Sequence, residues 1–172
     1  MNQNLSSKIR IAAGILALAA TLPSAAMEPA GNMSLGLRTG YVSQNESALA
    51  GLYFQYRFTP HFRLAPSADY VFRRNDRDAL LLNLDAQVPF SLGTGRVAVY
   101  PLAGLNFSAW SHHLKNDTSD DVTTRVSRFG VNVGAGAEFY VSSTLKLAIE
   151  GKFVGVKGYS CGEATVSIGY VF

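Results

Sequence analysis

Eight stretches of this chain alternate between apolar and polar residues, and the apolar positions of all eight lack aspartate, glutamate, lysine and arginine. Alternation with a period of two places one set of side chains on each face of a β-strand. The stretches have about the length that a tilted strand needs to cross a bilayer, roughly 9–11 residues. They cover residues 33–41, 48–58, 62–73, 80–90, 97–109, 128–139, 145–153 and 164–172.

Two kinds of barrel produce this pattern: a transmembrane barrel with its apolar face outward, and a soluble ligand-binding barrel with that face inward. The absence of charge from the apolar face and the many glycines on the polar face favour the transmembrane form. A sheet in lipid must close on itself, because every backbone polar group needs an internal partner. The predicted fold is therefore all-β, an eight-stranded antiparallel up-and-down transmembrane β-barrel, with the soluble barrel as the alternative. Aromatic residues near the strand ends fit interfacial girdles, namely Tyr41, Phe58, Phe62, Phe72, Phe90, Phe107, Phe129, Phe139, Phe153 and Phe172.

The first 26 residues read as a cleaved signal peptide. Lys8 and Arg10 precede a short apolar run over residues 11–22, and Ser24 and Ala26 occupy positions −3 and −1 of a small-residue cleavage site. The barrel domain is then residues 27–172. Cys161 is the only cysteine, so an intrachain disulfide is excluded, and we place it as a free thiol in the last outer loop.

Composition excludes several function classes. Charged residues make up 16% of the chain, against about 25% in an ordinary soluble domain. The net charge of +3 is small and no basic run accompanies it, so nucleic acid is not an expected partner. No cofactor motif is present, and His112-His113 with scattered acids lacks the spacing of a metal site.

Connections between the stretches suggest an orientation. Those at residues 59–61, 91–95 and 142–143 are short, whereas those at 43–47, 74–78, 111–124 and 155–163 are mostly longer. Short turns of such barrels face the periplasm, which predicts that both mature termini are periplasmic. Pro66 and Pro101 fall within strands, where local bulges are the expected accommodation. Trp110 is expected at the rim as an interfacial aromatic.

Three segments carry a family resemblance: Tyr100–Phe107, Gly130–Tyr140 and Thr165–Phe172. They resemble the small outer-membrane β-barrels of Gram-negative bacteria, which include the barrel of outer-membrane protein A and the opacity and attachment-invasion types. The resemblance implies an outer-membrane location, with outer-membrane lipids and the assembly machinery as partners. It also implies that the alternating apolar terminus is the assembly signal, formed by Val166, Ile168, Tyr170 and Phe172. Unlike outer-membrane protein A, the chain has no peptidoglycan-binding domain after the barrel, so a direct cell-wall anchor is not expected.

The polar face of the strands carries charges that would point into the lumen. An eight-stranded barrel is only wide enough for its own side chains, so these charges must pair or be hydrated. Glu138 and Lys146 flank one turn and are expected to pair across it. Arg38, Asp85 and Glu150 are expected nearer mid-height. The predicted lumen network comprises Arg38, Arg57, Arg63, Asp69, Asp85, Arg128, Glu138, Lys146, Glu150 and Lys152.

Three functions are open for such a lumen. A salt-bridged plug would make the protein structural, whereas seven basic against four acidic inward residues (Arg73 included) would suit a small, weakly anion-favouring channel. An enzyme of the lipid A deacylase type would need a serine, a histidine and an acid at the outer rim. The serine and histidine of this chain do not follow each other in the order that lipid A deacylases show along their sequence. The candidate residues are Ser111, His112, His113, Asp117, Asp120 and Asp121.

We therefore expect a monomeric, non-enzymatic structural protein that contributes to envelope integrity, with surface contact or adhesion as a second role. A passive porin-like channel is the alternative. A lipid A-modifying enzyme is the less favoured interpretation.

Overall fold

The computed structural model describes residues 31–74, 76–93, 95–114 and 122–172, so the predicted signal peptide lies outside the described residues. Every regular element in these ranges is a β-strand. No helix among them is long and apolar enough to cross a membrane. The strands are β1 (Met33–Val42), β2 (Ser47–Thr59), β3 (Phe62–Arg74), β4 (Arg77–Gln87), β5 (Phe90–Leu92), β6 (Val97–Leu114), β7 (Val122–Tyr140), β8 (Leu145–Val156) and β9 (Cys161–Val171).

The strands form one closed antiparallel sheet. Successive strands pair with one another except β4 and β5, and β1 pairs with β9 to close the ring. β4 and β5 both pair with β6 and together occupy one position, so the ring has eight strands. This confirms the predicted eight-stranded up-and-down barrel.

The two faces of the wall differ as the alternation predicts. Apolar side chains point outward and are exposed, among them Leu37, Leu105 and Ile149. Polar and charged side chains point inward and are buried, among them Asp69 and Asn106. The apolar face is therefore the outer, lipid-facing face, and the soluble barrel with an apolar interior is excluded.

The predicted bulges at the two mid-strand prolines are wrong. At Pro66 the β2–β3 ladder lacks the two pairs between Tyr53↔Ser67 and Tyr56↔Leu64. The pairs on either side of this gap have the same register, so no residue is inserted there. The register shift lies instead between Arg57 and Thr59. A proline lacks only its own N–H, so the ladder loses bonds locally without the inserted residue that defines a bulge.

The second interruption separates β4 from β5. Gln87↔Leu102 and Phe90↔Val99 share one register, which places Val88 opposite Pro101 and Pro89 opposite Tyr100. Each facing pair contains a proline and so lacks a donor. The Val88 N–H still donates to the Pro101 carbonyl, at 3.2 Å. The predicted strand 80–90 is thus one strand in register, and its final residues lead into the connection that begins at Gly93.

The predicted long loop at Ser111–Thr124 is wrong as well. β6 continues to Leu114 and β7 begins at Val122, with His112↔Thr124 and Leu114↔Val122 in register. The connection spans only residues 115–121. Polarity suggested a loop, but the Val-Thr-Thr run at 122–124 favours strand, and polar side chains are no obstacle where the hairpin leaves the lipid.

The other predicted outer loops are also short, at residues 43–46, 75–76 and 157–160. We call the end of the barrel with these connections and residues 115–121 the loop end. The opposite end, which carries the connections 60–61, 93–96 and 141–144 and both ends of the described chain, is the turn end. Since only the 115–121 connection is clearly longer than the rest, loop length distinguishes the two ends less sharply than the sequence suggested.

Glycines in the wall make room for two tyrosine rings in the lumen. A Cβ on Gly36 would lie 2.5 Å from the Tyr53 ring, and one on Gly136 would lie 2.5 Å from the Tyr100 hydroxyl. A Cβ on Gly169 would overlap the Tyr53 hydroxyl. The lumen is therefore filled to the wall at these heights.

Gly169→Ala is expected to destabilise the barrel by about 1–3 kcal/mol, because overpacking a filled interior forces side chains or backbone to shift. Tyr53→Phe removes the hydroxyl that the new methyl would meet, so the double variant should recover part of the loss. Urea midpoints of the folded barrel in detergent measure both effects. Gly151→Ala is the control, since a Cβ at that lipid-facing position meets no atom within 4 Å. Equal effects at the two glycines would contradict the explanation.

Candidate functional site: the charged lumen

The centre of the lumen is a network of buried ionic and amide side chains. It has one cluster at the turn end and two at mid-height, which we call the turn-end cluster, the Arg38 cluster and the Lys152 cluster. Each draws side chains from several strands, because inward positions of all eight strands converge on the axis of a narrow barrel.

Glu138 is the centre of the turn-end cluster. Its carboxylate accepts hydrogen bonds from Arg63 at 2.7 and 2.9 Å, and Lys146 lies 3.3 Å away. The Tyr140 hydroxyl donates to it at 3.0 Å. All three charged groups are at least 97% buried as side chains. One carboxylate therefore serves two cations, and the contact between Glu138 and Lys146 is the one expected across the β7–β8 turn.

Amide and aromatic groups complete this cluster. Arg63 donates to Gln87 at 2.6 Å and lies 4.6 Å from the centre of the Tyr100 ring. Lys146 donates to Gln55. Arg57 is half-buried and donates to the Tyr140 hydroxyl at 2.9 Å, so it joins the cluster through a neutral partner.

The Arg38 cluster is a bidentate pair extended by a second acid. Arg38 donates to the two oxygens of Asp69 at 2.5 and 2.6 Å, the planar geometry that guanidinium and carboxylate groups favour. Glu150 lies 3.6 Å from Arg38 and accepts from Tyr100 at 3.2 Å. β1, β3, β6 and β8 are thereby connected across the barrel.

The Lys152 cluster has one ammonium between two carboxylates. Lys152 lies 3.3 Å from Asp85 and 3.2 Å from Glu163. Asn132 donates to Asp85 at 2.7 Å, and Asn83 connects this cluster to Asp69 at 3.2 Å. The sequence suggested that Arg38, Asp85 and Glu150 could form one central network. Arg38 does contact Glu150, but Asp85 pairs with Lys152 instead. Glu163 is a lumen residue that sequence reasoning assigned to a loop.

The charges of the lumen balance. Among inward positions of the described strands, the buried or half-buried basic residues are Arg38, Arg57, Arg63, Lys146 and Lys152, and the acidic ones are Asp69, Asp85, Glu138, Glu150 and Glu163. Five against five leaves a formal charge of zero for this set, which does not include Arg96, half-buried just before β6. Arg128 is exposed, and Arg73 is exposed with a partner in Asp76 at 3.0 Å. The excess of basic residues on which an anion-favouring channel depended is thus absent from this set.

The loop end of the lumen is closed by apolar side chains. Trp110 is 1% exposed and stacks on Tyr159, with ring centres 5.6 Å apart. The expectation of a rim aromatic is therefore wrong for Trp110, because an even-numbered position on β6 points inward. We call this group the apolar cap; its buried members are Val42, Leu49, Val71, Ala79, Leu81, Trp110, Val154, Val156 and Cys161.

Cys161 belongs to this cap rather than to a loop. It is the first residue of β9, pairs with Val154 and is buried as a free thiol. Alternation continues to the strand ends, but the inward residues there are apolar. The sequence could have indicated this cap, because the inward positions Val42, Leu49 and Val71 are apolar.

The lumen between the apolar cap and the turn end contains a small internal space. A cavity of about 20 Å³ lies among lumen residues that include Arg38, Tyr100 and Glu150. That volume holds about one water molecule. Several buried polar atoms around the lumen lack a hydrogen-bond partner in the protein, including the Tyr53 hydroxyl and one Glu150 oxygen, and a water there would satisfy them.

The residues considered for catalysis are not assembled. Ser111 and His112 are consecutive in β6, and consecutive strand residues point to opposite faces. His112 lies 3.2 Å from the Tyr159 hydroxyl. Asp117, Asp120 and Asp121 lie outside the described residues, as does the His113 side chain. In the described ranges no group of three histidine, cysteine or acidic side chains is placed to hold a metal ion.

The predicted assembly signal lies on the lipid-facing wall. Val166, Ile168, Tyr170 and Phe172 are all exposed, and the rings of Tyr170 and Phe172 stack at 6.3 Å. Ile168 pairs with Leu37 of β1 and Leu147 of β8. Beside this segment, an apolar groove of about 860 Å³ crosses the outer wall near Ala135, Gly151 and Ala164.

A closed eight-stranded barrel with an apolar outer wall and a polar, filled lumen defines a small outer-membrane barrel protein. Residues 11–172 match the family described as the outer membrane protein beta-barrel domain, and the chain belongs to that family. Membership implies an outer-membrane location. Among curated proteins, none matches the chain.

Solved structures share the fold at low identity. The N-terminal barrel domain of Pseudomonas aeruginosa OprF is 20% identical, with 83% of this chain and 98% of that one covered and a TM-score of 0.62. Neisserial surface protein A is 16% identical, with 83% of this chain and 98% of that one covered and a TM-score of 0.69. Ail, the attachment invasion locus protein of Yersinia pestis, is 17% identical, with 85% of this chain and 100% of that one covered and a TM-score of 0.61.

Proposed function

We propose that the protein is a structural, non-conducting barrel that contributes to the integrity of the outer membrane. The observation that supports this most directly is the filled lumen, in which the buried and half-buried charges of the strands balance. Its five cations and five anions are satisfied largely by one another or by amide and hydroxyl groups, and the apolar cap closes the loop end. An ion entering would have to break buried pairs, and leaving a buried charge unpaired costs several kcal/mol.

Neither catalysis nor a resident cofactor has support from the site. A hydrolase needs a nucleophile within hydrogen-bond reach of an oriented base, and Ser111 and His112 face opposite sides of β6. Ail is by its name an attachment and invasion protein, which is consistent with surface contact as a second role of this chain. At 17% identity the likeness concerns the fold alone.

We further propose that the turn end and both mature termini face the periplasm. The longest connection, residues 115–121, lies at the other end, and such barrels keep short turns on the periplasmic side. Outer-membrane lipids would contact the apolar wall and its groove, and the assembly machinery would bind the segment ending at Phe172. The ring closes without a second copy, so a monomer suffices.

Conductance in planar bilayers tests the closed lumen. The purified barrel is expected to give no stable openings, since the Arg38 pairs and the cap fill its cross-section. Replacing Arg38 and Asp69 by serine and Trp110 by alanine removes the bidentate pair and opens the apolar cap, and small openings should appear. Arg73→Ser/Asp76→Ser, an exposed pair at the loop end, is the matched control. Stable openings of the unmodified protein would favour the passive channel instead.

A further inference from the structure

The lumen charges of the strands balance in number but not in position. The two mid-height clusters contain two cations, Arg38 and Lys152, and four acids. The turn-end cluster contains three cations and one acid, Glu138, which contacts two of the cations directly and the third through a tyrosine hydroxyl. The interior of the barrel is therefore negative at mid-height and positive at the turn end.

The excess of positive charge extends to the surface of the turn end. This end comprises the described residues 31–35, 56–65, 89–93, 95–100, 137–148 and 168–172, and Glu138 is their only acidic side chain. Their basic side chains are Arg57, Arg63, Arg96 and Lys146. Counting also Glu28, which lies outside the described residues, and a carboxylate at Phe172 gives three anions against these four cations. The turn end therefore stays positive when every nearby acid is included.

Two arginines of this end lie directly opposite each other. Arg57 of β2 and Arg63 of β3 are partners in the ladder, and like charges at such positions destabilise a sheet. The Nε atom of Arg57 and the Nη2 atom of Arg63 are buried and have no hydrogen-bond partner among the described residues. Arg63 as a whole is 1% exposed. An anion that accepted from both donors would satisfy them and offset the repulsion between the two guanidinium groups.

The side chain of Arg57 crosses the opening of the lumen at the turn end. β2 and β7 are four positions apart in the ring of eight, and the Nη2 atom of Arg57 reaches the Tyr140 hydroxyl of β7 at 2.9 Å. Arg96 adjoins the same tyrosine, since the Tyr140 N–H donates to the Arg96 carbonyl at 2.8 Å. Arg57 and Arg96 are both half-buried. The Arg57 guanidinium therefore lies at the aqueous mouth of the barrel and not on its lipid-facing wall.

A phosphate group matches this mouth better than a simple anion does. Its several oxygens can accept several N–H groups together, and the planar fork of a guanidinium favours such bidentate contacts. A half-buried position is screened by salt much less than an open surface is. Lys146, 3% exposed and 5.9 Å from the centre of the Tyr140 ring, adds positive charge on the inner side.

We propose that the turn-end mouth binds a phosphate group of a soluble ligand. The Nε–H of Arg57 and the free N–H of Arg63 donate to its oxygens, and Arg96 and Lys146 add positive charge. The aqueous phase is the source, because Arg57 spans the opening instead of facing the lipid. This inference goes beyond the structural role proposed above and does not depend on it, since a ligand at the mouth need not enter the lumen.

The test uses the folded full-length barrel in neutral detergent, with inorganic pyrophosphate as the probe. Isothermal titration calorimetry is expected to show saturable binding to the unmodified protein. Arg57→Gln should bind at least about tenfold more weakly, the equivalent of roughly 1.4 kcal/mol. Arg128→Gln removes one exposed arginine at the loop end and so changes the net charge equally. This matched control should bind pyrophosphate as the unmodified protein does.

Urea midpoints separate binding from a purely structural role of Arg57. Pyrophosphate should raise the midpoint of the unmodified protein, as a ligand of the folded state does, and should leave that of Arg57→Gln unchanged. Without pyrophosphate, Arg57→Gln should be at least as stable as the unmodified protein, because one of two facing cations is removed. A midpoint that Arg57→Gln lowers equally with and without the probe would show that Arg57 only supports Tyr140, and would overturn the proposal.

Other outcomes would reject the site as well. Equal pyrophosphate binding by Arg57→Gln and the unmodified protein would exclude the mouth, and a loss in Arg128→Gln instead would place binding at the loop end. Sodium chloride that reproduced the rise in midpoint at the same ionic strength would show screening alone. Phosphatidylglycerol micelles that stabilised the unmodified protein but not Arg57→Gln would overturn the soluble source and assign the phosphate to a lipid headgroup. None of these results bears on conductance, so the structural role is judged separately.

Discussion

Glu138→Gln is expected to destabilise the barrel by about 3–5 kcal/mol, the cost of removing one partner from a buried ion pair. The effect should be at the upper end of that range because one carboxylate serves two buried cations, Arg63 at 2.7 Å and Lys146 at 3.3 Å. Glutamine keeps the size and the hydrogen-bonding oxygen, so the change tests charge and not packing. The shift of the urea midpoint at an unchanged slope measures it.

A second substitution identifies the unpaired charge as the cause. Lys146→Met in the Glu138→Gln background removes one of the two orphaned cations, so the double variant should be more stable than Glu138→Gln alone. Glu46→Gln is the matched control, because Glu46 is 67% exposed in its pair with Arg74 and exposed pairs contribute about 0–1 kcal/mol. If Glu138→Gln and Glu46→Gln shifted the midpoint equally, the lumen pairs would not hold the barrel together.

The fold could be predicted from the sequence because the bilayer demands one pattern along every strand. An uncharged residue at each second position fixes both the strand and its outward face, as at Leu35 and Leu37 or at Val131 and Val133. Strand ends were harder to place. Once β6 and β7 leave the lipid the demand for apolar residues ends, so a polar hairpin looks like a loop.

Contacts within the lumen could be predicted only where they are local. Glu138 and Lys146 are eight residues apart and meet across one turn, so hairpin geometry alone indicates the pair. Arg63 and Glu138 are 75 residues apart, and Arg38 and Asp69 lie on strands that β2 separates. Whether such residues meet depends on the stagger of the closed barrel, which single-strand periodicity does not contain.

Trp110→Ala is expected to destabilise the barrel by about 3–5 kcal/mol, the range for deleting a large buried aromatic side chain. Trp110 is 1% exposed, stacks on Tyr159 and belongs to the apolar cap. The strands around it are held by their ladders and cannot collapse into the space, so a cavity should remain. Urea midpoints measure the loss, with His61→Ala, an exposed residue of the β2–β3 turn, as control.

Trp110→Phe should retain much of the stability, because the buried aromatic ring and not the indole N–H stabilises the cap. A loss for Trp110→Ala no larger than for His61→Ala would mean that the cap adds nothing to the fold, and closure of the lumen would then rest on the ion pairs alone.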